Sequence, residues 1–174
     1  MMISKDNLLI RLMSVNDYKI MAKWLSDEKV LKYYEEPSSD LEMVIKKYEP
    51  RINGNHYVTP CIVEYKGNSI GYIQFYKVSK EKLEEYGYKA NQLAFGIDQF
   101  IGETHLWGKG IGRLMIGLIL EYINKIESSA SIILDVKKTN ERAIACYIKC
   151  GFNRIKDLDN EFMLMAYTPK TKLE

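Results

Sequence analysis

Three glycines at alternate positions, Gly108, Gly110 and Gly112, with Lys109 and Ile111 between them, lead into an apolar run from Leu114 to Leu120. Glycine admits backbone torsions closed to other residues and removes side chains. Successive N–H groups can therefore turn inward at the start of a helix whose dipole favours an anion. A phosphate or pyrophosphate suits such a turn. Two familiar phosphate motifs do not fit. A P-loop needs four residues between its first glycine and Gly-Lys-Ser/Thr, and a dinucleotide fingerprint needs Gly-x-Gly-x-x-Gly, whereas the third glycine here comes too soon. The glycines alone are equally compatible with a strand-to-helix turn that merely permits tight packing.

Other residue types narrow the chemistry. The three cysteines, Cys61, Cys146 and Cys150, are an odd number without metal-type pairing, and His56 and His105 are the only histidines. No metal site and no disulfide scaffold is expected. Cys146 and Cys150, four apart on an expected helix, read as small apolar residues in a reducing compartment rather than as a redox pair. Basic and acidic residues number 25 and 23 and are well interspersed, which argues against a nucleic-acid backbone as partner. Charges at Lys5, Asp6 and Arg11 interrupt any N-terminal export signal. The Leu114–Leu120 run is far short of the ~20 residues that span a bilayer. The expected setting is the cytoplasm, without a membrane partner.

The elements that must hold the glycine turn follow from hydrophobic period. At 174 residues the chain fits one domain, residues 1–174, and no linker or repeat divides it. Leu8 to Met13 reads as a first strand. Ser14 then caps a helix with Tyr18, Met21, Ala22 and Leu25 on one face, and Asp40 caps a second, bearing Leu41, Val44, Ile45 and Tyr48, that stops near Pro50. "YVTPCIVEYK" and "SIGYIQFYKV" read as a hairpin about Gly67-Asn68. "SKEKLEEYGYKAN" is a loop or short helix, and "QLAFGIDQFIG" a strand. After the glycines a helix runs to about Ile126. "SIILDV" is a buried strand, "TNERAIACYIKCGF" a helix stopped at Gly151, and "NRIKDL" and "EFMLMAYTP" are closing strands joined at Asp159-Asn160. The order is β-α-α-β-β-β-α-β-α-β-β, and a mixed sheet with helices packed on it accommodates it.

A strand, then x-x-Gly-Lys-Gly-Ile-Gly, a helix, a strand, and Asn-x-x-Ala-x-x-x-Tyr-x-Lys-x-Gly-Phe is an order that resembles the GCN5-related N-acetyltransferases. The likeness is strongest over residues 91 to 152. It implies an α+β fold, with a mixed, mostly antiparallel sheet and helices on both faces, and acetyl-CoA as co-substrate. Trp107, Gly108, Lys109, Gly110, Ile111, Gly112 and Arg113 would form the pyrophosphate segment. Trp107 departs from the Arg or Gln common at its position, and its ring can instead pack beneath the loop. The two strands flanking the glycine helix would splay around the pantetheine arm. A backbone N–H near Gln99 or Phe100 would polarise the thioester carbonyl, Asn140 would bond the CoA arm, and Tyr147 would protonate the leaving thiolate. A phenol, with its pKa of ~10, keeps its proton at neutral pH.

Longer stretches, "KWLSDEKVLKYYEE", "GIDQFIGE" and "ILDVKKTNERAIACYIKCGF" among them, resemble the aminoglycoside 6′-N-acetyltransferases, which inactivate those antibiotics. That likeness implies that Asp98 binds the reacting amine and accepts its proton, and that Asp135 binds the polycationic sugar. Further candidate anions are Glu35, Glu36, Glu84, Glu85 and Glu103. Tyr48, Trp24, Tyr86 and Tyr88 are candidates for the cleft wall. Rival expectations are an acetyltransferase of another amine, such as a siderophore-precursor hydroxylysine, a polyamine or a protein N-terminus, and a non-catalytic acyl-CoA-binding module.

Overall fold

The computed structural model describes residues 2–34, 37–89 and 91–169. Eight strands form one sheet in the order β1-β2-β3-β4-β5-β6-β8-β7. They are β1 (Met2–Lys5), β2 (Leu8–Leu12), β3 (Thr59–Tyr65), β4 (Asn68–Lys77), β5 (Ala94–Ile101), β6 (Ser131–Lys137), β7 (Asn153–Asp157) and β8 (Phe162–Tyr167). Every neighbouring pair is antiparallel except β5 with β6. The mixed, mostly antiparallel sheet expected above is the one observed.

Side chains alternate between the faces of a strand, and the core divides accordingly. Cys61, Val63, Ile73, Phe75, Ile97, Ile132 and Leu134 point to one face, where they meet Ile111, Met115, Ile119 and Ile123 of the long helix α5 (Ile111–Ile126) and Tyr147 of α6 (Glu141–Lys149). Ile62, Tyr72 and Phe100 point to the other face. They meet Tyr18, Met21 and Trp24 of α1 (Tyr18–Trp24), Val30 of α2 (Glu28–Leu31) and Val44 and Tyr48 of α3 (Leu41–Ile52). On the same side of the sheet's far end, Leu83 of α4 (Lys80–Glu85) covers Ile133 and Leu164. No helix among the described residues is long and apolar enough to cross a membrane.

Several details differ from the sequence reading. An extra strand, β1, pairs back on β2 through a turn at Asp6, whose φ is +53°. Its charged end and four-residue length hide it from a periodicity argument. The β3–β4 hairpin turns at Lys66–Gly67, with Tyr65 opposite Asn68, rather than at Gly67-Asn68. The first helix opens with a 3₁₀ turn, Val15–Asp17, before α1, and the undivided stretch that follows holds the short α2, capped by the Asp27 carboxylate accepting from the Lys29 N–H at 2.8 Å. Pro50 does not stop α3, because a proline in the last turn removes only one donor. Asn53 and Asn55 still donate to the carbonyls of Glu49 and Pro50, at 3.0 and 2.9 Å. The ambiguous segment after β4 forms α4.

Candidate active site

The site begins where β5 and β6 part. They pair only at Ala94–Ser131, Phe95–Ile132 and Gly96–Ile133; beyond that β5 stays with β4, and β6 with β8. The edge of β5 from Ile97 to Ile101 therefore faces an opening rather than a neighbouring strand. A cavity of about 800 Å³ occupies the gap, lined by residues of β5, β6, the glycine turn and α6. A splayed edge of this kind offers ladder N–H and C=O groups to an extended ligand such as a pantetheine arm.

One wall of the opening is the glycine turn. Gly108 and Gly110 have φ of +78° and +81°, the left-handed region open mainly to glycine. Gly110 is the residue that caps α5. The first-turn N–H groups of a sixteen-residue helix consequently open toward the cavity. Gly108, Gly110, Gly112, Arg113 and Trp107 line it, whereas Lys109 is exposed beside it and the Ile111 side chain is core. Neither of those two lines the cavity. The Trp107 indole donates to the carbonyl of Ile101 at 2.8 Å, and the guanidinium of Arg142 lies 3.8 Å from the ring centre. The tryptophan thus pins the turn to the end of β5 and carries a cation on its face.

The facing wall is α6. Asn140 caps this helix, its side-chain oxygen accepting from the Ala143 N–H at 3.3 Å, and it also lines the cavity. Capping engages the oxygen and leaves the amide NH₂ as the group suited to donate to a ligand. Tyr147 stands two turns on, 8% exposed, with its ring against Phe152. Its hydroxyl accepts from Gln99 Nε2 at 2.6 Å. Burial pushes the phenol above its ordinary pKa, and the Gln99 donor opposes that rise, so Tyr147 carries its proton at neutral pH. Because the oxygen already accepts, the O–H itself can point at a ligand.

Asp98 and Gln99 are consecutive on a strand, so they serve opposite faces. Asp98 stands directly across from Gln74 of β4, whose Nε2 donates to Asp98 Oδ2 at 2.6 Å. Gln74 is 7% exposed, and its oxygen accepts from Arg51 Nη1 at 2.7 Å and from the Tyr72 hydroxyl at 2.8 Å. Neither Gln74 nor Arg51 is suggested by any motif; only the cross-strand register could have pointed to Gln74. Asp135 of β6 also lines the cavity, and burial raises its pKa although its carboxylate remains open to solvent. The Tyr76 hydroxyl feels both Asp98 and Asp135, and burial together with these anions raises its pKa. Its ring covers Gly96, where a Cβ would lie 2.5 Å from the aromatic carbons. Two carboxylates and a phenol therefore gather at the point where the strands part.

The remaining candidates fall elsewhere. Trp24, expected as cleft wall, is 1% exposed and donates its indole N–H to Glu103 at 3.0 Å. Tyr48, also expected there, is fully buried edge-on to Tyr72. Both are core, because the helices carrying them turn their apolar faces onto the sheet. Glu103 is engaged by Lys23 at 2.6 Å as well as by Trp24, and these donors lower its pKa. Glu84 and Glu85 are exposed on α4, with Glu85 paired to Lys82 at 2.9 Å, and neither lines the cavity. Tyr86, half-buried on the same segment, lies within electrostatic reach of Asp135, and Tyr88 packs beside it against Leu83's cluster. Glu35 and Glu36 lie outside the described residues. All three cysteines are free thiols; Cys61 is buried in the core, which pushes its pKa up to about 12, and Cys146 and Cys150 sit on α6.

Comparison with known proteins agrees with this architecture. The aminoglycoside N(6′)-acetyltransferase type 1 of Klebsiella pneumoniae is 29% identical over 153 residues, 87% of this chain and 76% of that protein. A probable spermine N(1)-acetyltransferase of Bacillus subtilis subsp. natto is 25% identical over 104 residues, 60% of this chain and 65% of that protein. The structure of AAC(6′)-Ib in complex with ribostamycin and coenzyme A is similar at a TM-score of 0.77 and 27% identity, over 94% of each chain. Residues 14–160 match the family described as Acetyltransferase (GNAT) domain. With the glycine turn, the parted strands and the buried tyrosine within that span, the chain belongs to the GNAT family of acetyltransferases.

Proposed function

We propose that the protein acetylates the 6′-amine of aminoglycosides, and thereby confers resistance to them, by direct transfer from acetyl-CoA in a ternary complex. One observation carries this reading: Asp98 and Asp135 open onto the same cavity as the glycine turn and Tyr147. A cationic amine drawn to the carboxylates meets a thioester lying along the β5 edge. The chain's similarity to an aminoglycoside N(6′)-acetyltransferase over most of its length supports the choice of acceptor.

In this reading the pyrophosphate of acetyl-CoA rests on the N–H groups of residues 108–113, and its arm runs between β5 and β6. Asp98 orients the ammonium and takes its proton. The freed amine nitrogen attacks the thioester carbonyl, whose developing charge a β5 N–H near Gln99 or Phe100 stabilises. The adduct then collapses, the C–S bond breaking as the carbonyl re-forms and Tyr147 giving its proton to the departing thiolate. The adduct nitrogen sheds its second proton to solvent, Asp98 releases the first, and Tyr147 is recharged, leaving the acetamide and free CoA.

A polyamine acceptor is the second reading. The similarity to a spermine acetyltransferase favours it, and two neighbouring carboxylates also suit a linear polycation. A thiol-release assay with acetyl-CoA separates the two. Kanamycin is expected to release CoA and an analogue with a hydroxyl in place of the 6′-amine is not; turnover of spermine with no turnover of any amino sugar overturns the proposal.

A further inference from the structure

The part-buried chain Arg51–Gln74–Asp98 goes beyond that reading, although it rests on Asp98 meeting the acceptor. We infer that Gln74 and Arg51 are positioning residues for the acceptor carboxylate, fixing its rotamer and holding it ionised from behind the cavity wall.

The argument starts with the amide. A glutamine side chain can turn over and offer either its oxygen or its NH₂ to a neighbour. Here Arg51 Nη1, 2.7 Å away, and the Tyr72 hydroxyl, 2.8 Å away, both address the Gln74 oxygen. A guanidinium can only donate, so the oxygen must face Arg51 and the NH₂ must face Asp98, as the 2.6 Å contact to Oδ2 shows. Asp98 is thereby given a donor rather than an acceptor, which favours its charged form. The register supplies the geometry: Gln74 and Asp98 are paired across β4 and β5, and Tyr72 lies two residues before Gln74 on the same face.

Arg51 reaches this point from the last turn of α3. It also lies over the Tyr48 ring, 5.1 Å from its centre. The buried tyrosine, expected to contact the sugar, thus supports the arginine instead. Gln74 lines the cavity whereas Arg51 does not. The cation sits one residue behind the surface that an ammonium would meet, so it can balance Asp98 without standing in the acceptor's place.

Among the described residues, Tyr76 from β4 and Tyr147 from α6 each feel Asp98, and each also feels Asp135 of β6. Burial raises the pKa of Asp135 and of both tyrosines. Arg51 supplies positive charge from behind Gln74, while Arg113, Lys137, Arg142 and Lys149 line the cavity in front. Removing Gln74 or Arg51 therefore moves the carboxylate toward its protonated form, and the acid limb of the pH profile toward higher pH.

The test uses Gln74→Leu, Arg51→Met and Arg51→Lys in the full chain, with kanamycin and acetyl-CoA as substrates between pH 5 and 9. Gln74→Leu is expected to lower kcat/KM for kanamycin about 10- to 100-fold, to shift the acid limb up by about one pH unit, and to leave the KM for acetyl-CoA within about twofold. Arg51→Met should move the limb in the same direction by less, and Arg51→Lys should restore part of it. A ¹³C-carboxyl titration of Asp98 reads the same shift without turnover. Coincident pH profiles and unchanged kcat/KM in both Gln74→Leu and Arg51→Met overturn the inference; should Gln74→Leu not fold, Arg51→Met decides alone. Full activity in Asp98→Asn instead overturns the reading of Asp98 itself, so the two failures are distinguishable.

Discussion

The two sides of this cavity, one proposed for the acetyl donor and the other for the acceptor, are built in different ways. The donor side is local and largely backbone: one seven-residue turn, Trp107 to Arg113, delivers a helix N-terminus and two left-handed glycines. The acceptor side is assembled from distant side chains. Asp98, Gln74, Arg51 and Asp135 come from β5, β4, α3 and β6 and meet only after the sheet has formed. A phosphate-bearing cofactor common to a whole family can be held by a backbone turn. Recognition of one amine among many needs charges placed individually.

Substitutions on the two sides should separate kinetically. The largest effect is expected at Asp98→Asn, where loss of the proton acceptor lowers kcat by about 10³-fold while CoA affinity, measured by calorimetry, stays within about twofold. Equal losses in both would mean that Asp98 supports the fold rather than the acceptor.

Tyr147→Phe comes next, with kcat expected to fall about 10²-fold and little change in either KM. The ring and its contact with Phe152 are retained, so thermal stability should change little. A leaving group with a lower thiol pKa should recover part of the rate, since it needs the proton less. Unchanged turnover would leave Tyr147 as a packing residue.

On the donor side, Gly110→Ala is expected to raise the KM for acetyl-CoA about tenfold, with the KM for kanamycin unchanged. An added Cβ there meets nothing within 4 Å. The penalty is therefore torsional, ~1–2 kcal/mol for a non-glycine residue at positive φ, comparable to a factor of ten in binding. A rise in the kanamycin KM alone would contradict the division of labour.

The smallest kinetic effect is expected at Asp17, which belongs to neither side. It accepts from Arg11 Nη1 and Nη2 at 2.8 and 2.7 Å and from the Ser14 N–H at 2.8 Å, tying β2 to the turn before α1. Burial opposes its charge, but Arg11 and Ser14 more than compensate and its pKa is lowered. The stability it contributes is therefore complete above the ordinary carboxylate pKa of ~3.9 and is lost as pH falls through the lower folded value. Asp17→Asn should destabilise the fold by about 3 kcal/mol at pH 7 with kcat retained. The gap in Tm between the two proteins should narrow steadily below about pH 4. A gap that is constant with pH would mean that the carboxylate's charge is immaterial.

Much of the fold was readable because its signals are short-range. The apolar spacing of α5, the Asp40 cap of α3 and the alternation of β3 and β4 each lie within one short continuous stretch of chain. What went unread depends on contacts rather than period. The strand β1 exists by pairing with β2, and Trp24 and Tyr48 became core because α1 and α3 lie on the sheet rather than beside the cleft. Aromatic residues on an amphipathic helix carry no mark that separates a binding wall from a buried one.

The sequence by itself marked a glycine turn at the start of an apolar helix, since glycines permit the left-handed torsions found there, but that the turn lines a cavity came from the fold. The sequence also determined that Asp98 and Gln99 face opposite ways, which follows from strand pleating. Only the tertiary structure decided what those two residues meet. Gln99 found Tyr147, 48 positions later, and Asp98 found Gln74 and, behind it, Arg51. A hydrogen bond acts over about 3 Å of space, and separation along the chain says nothing about which groups will come within it.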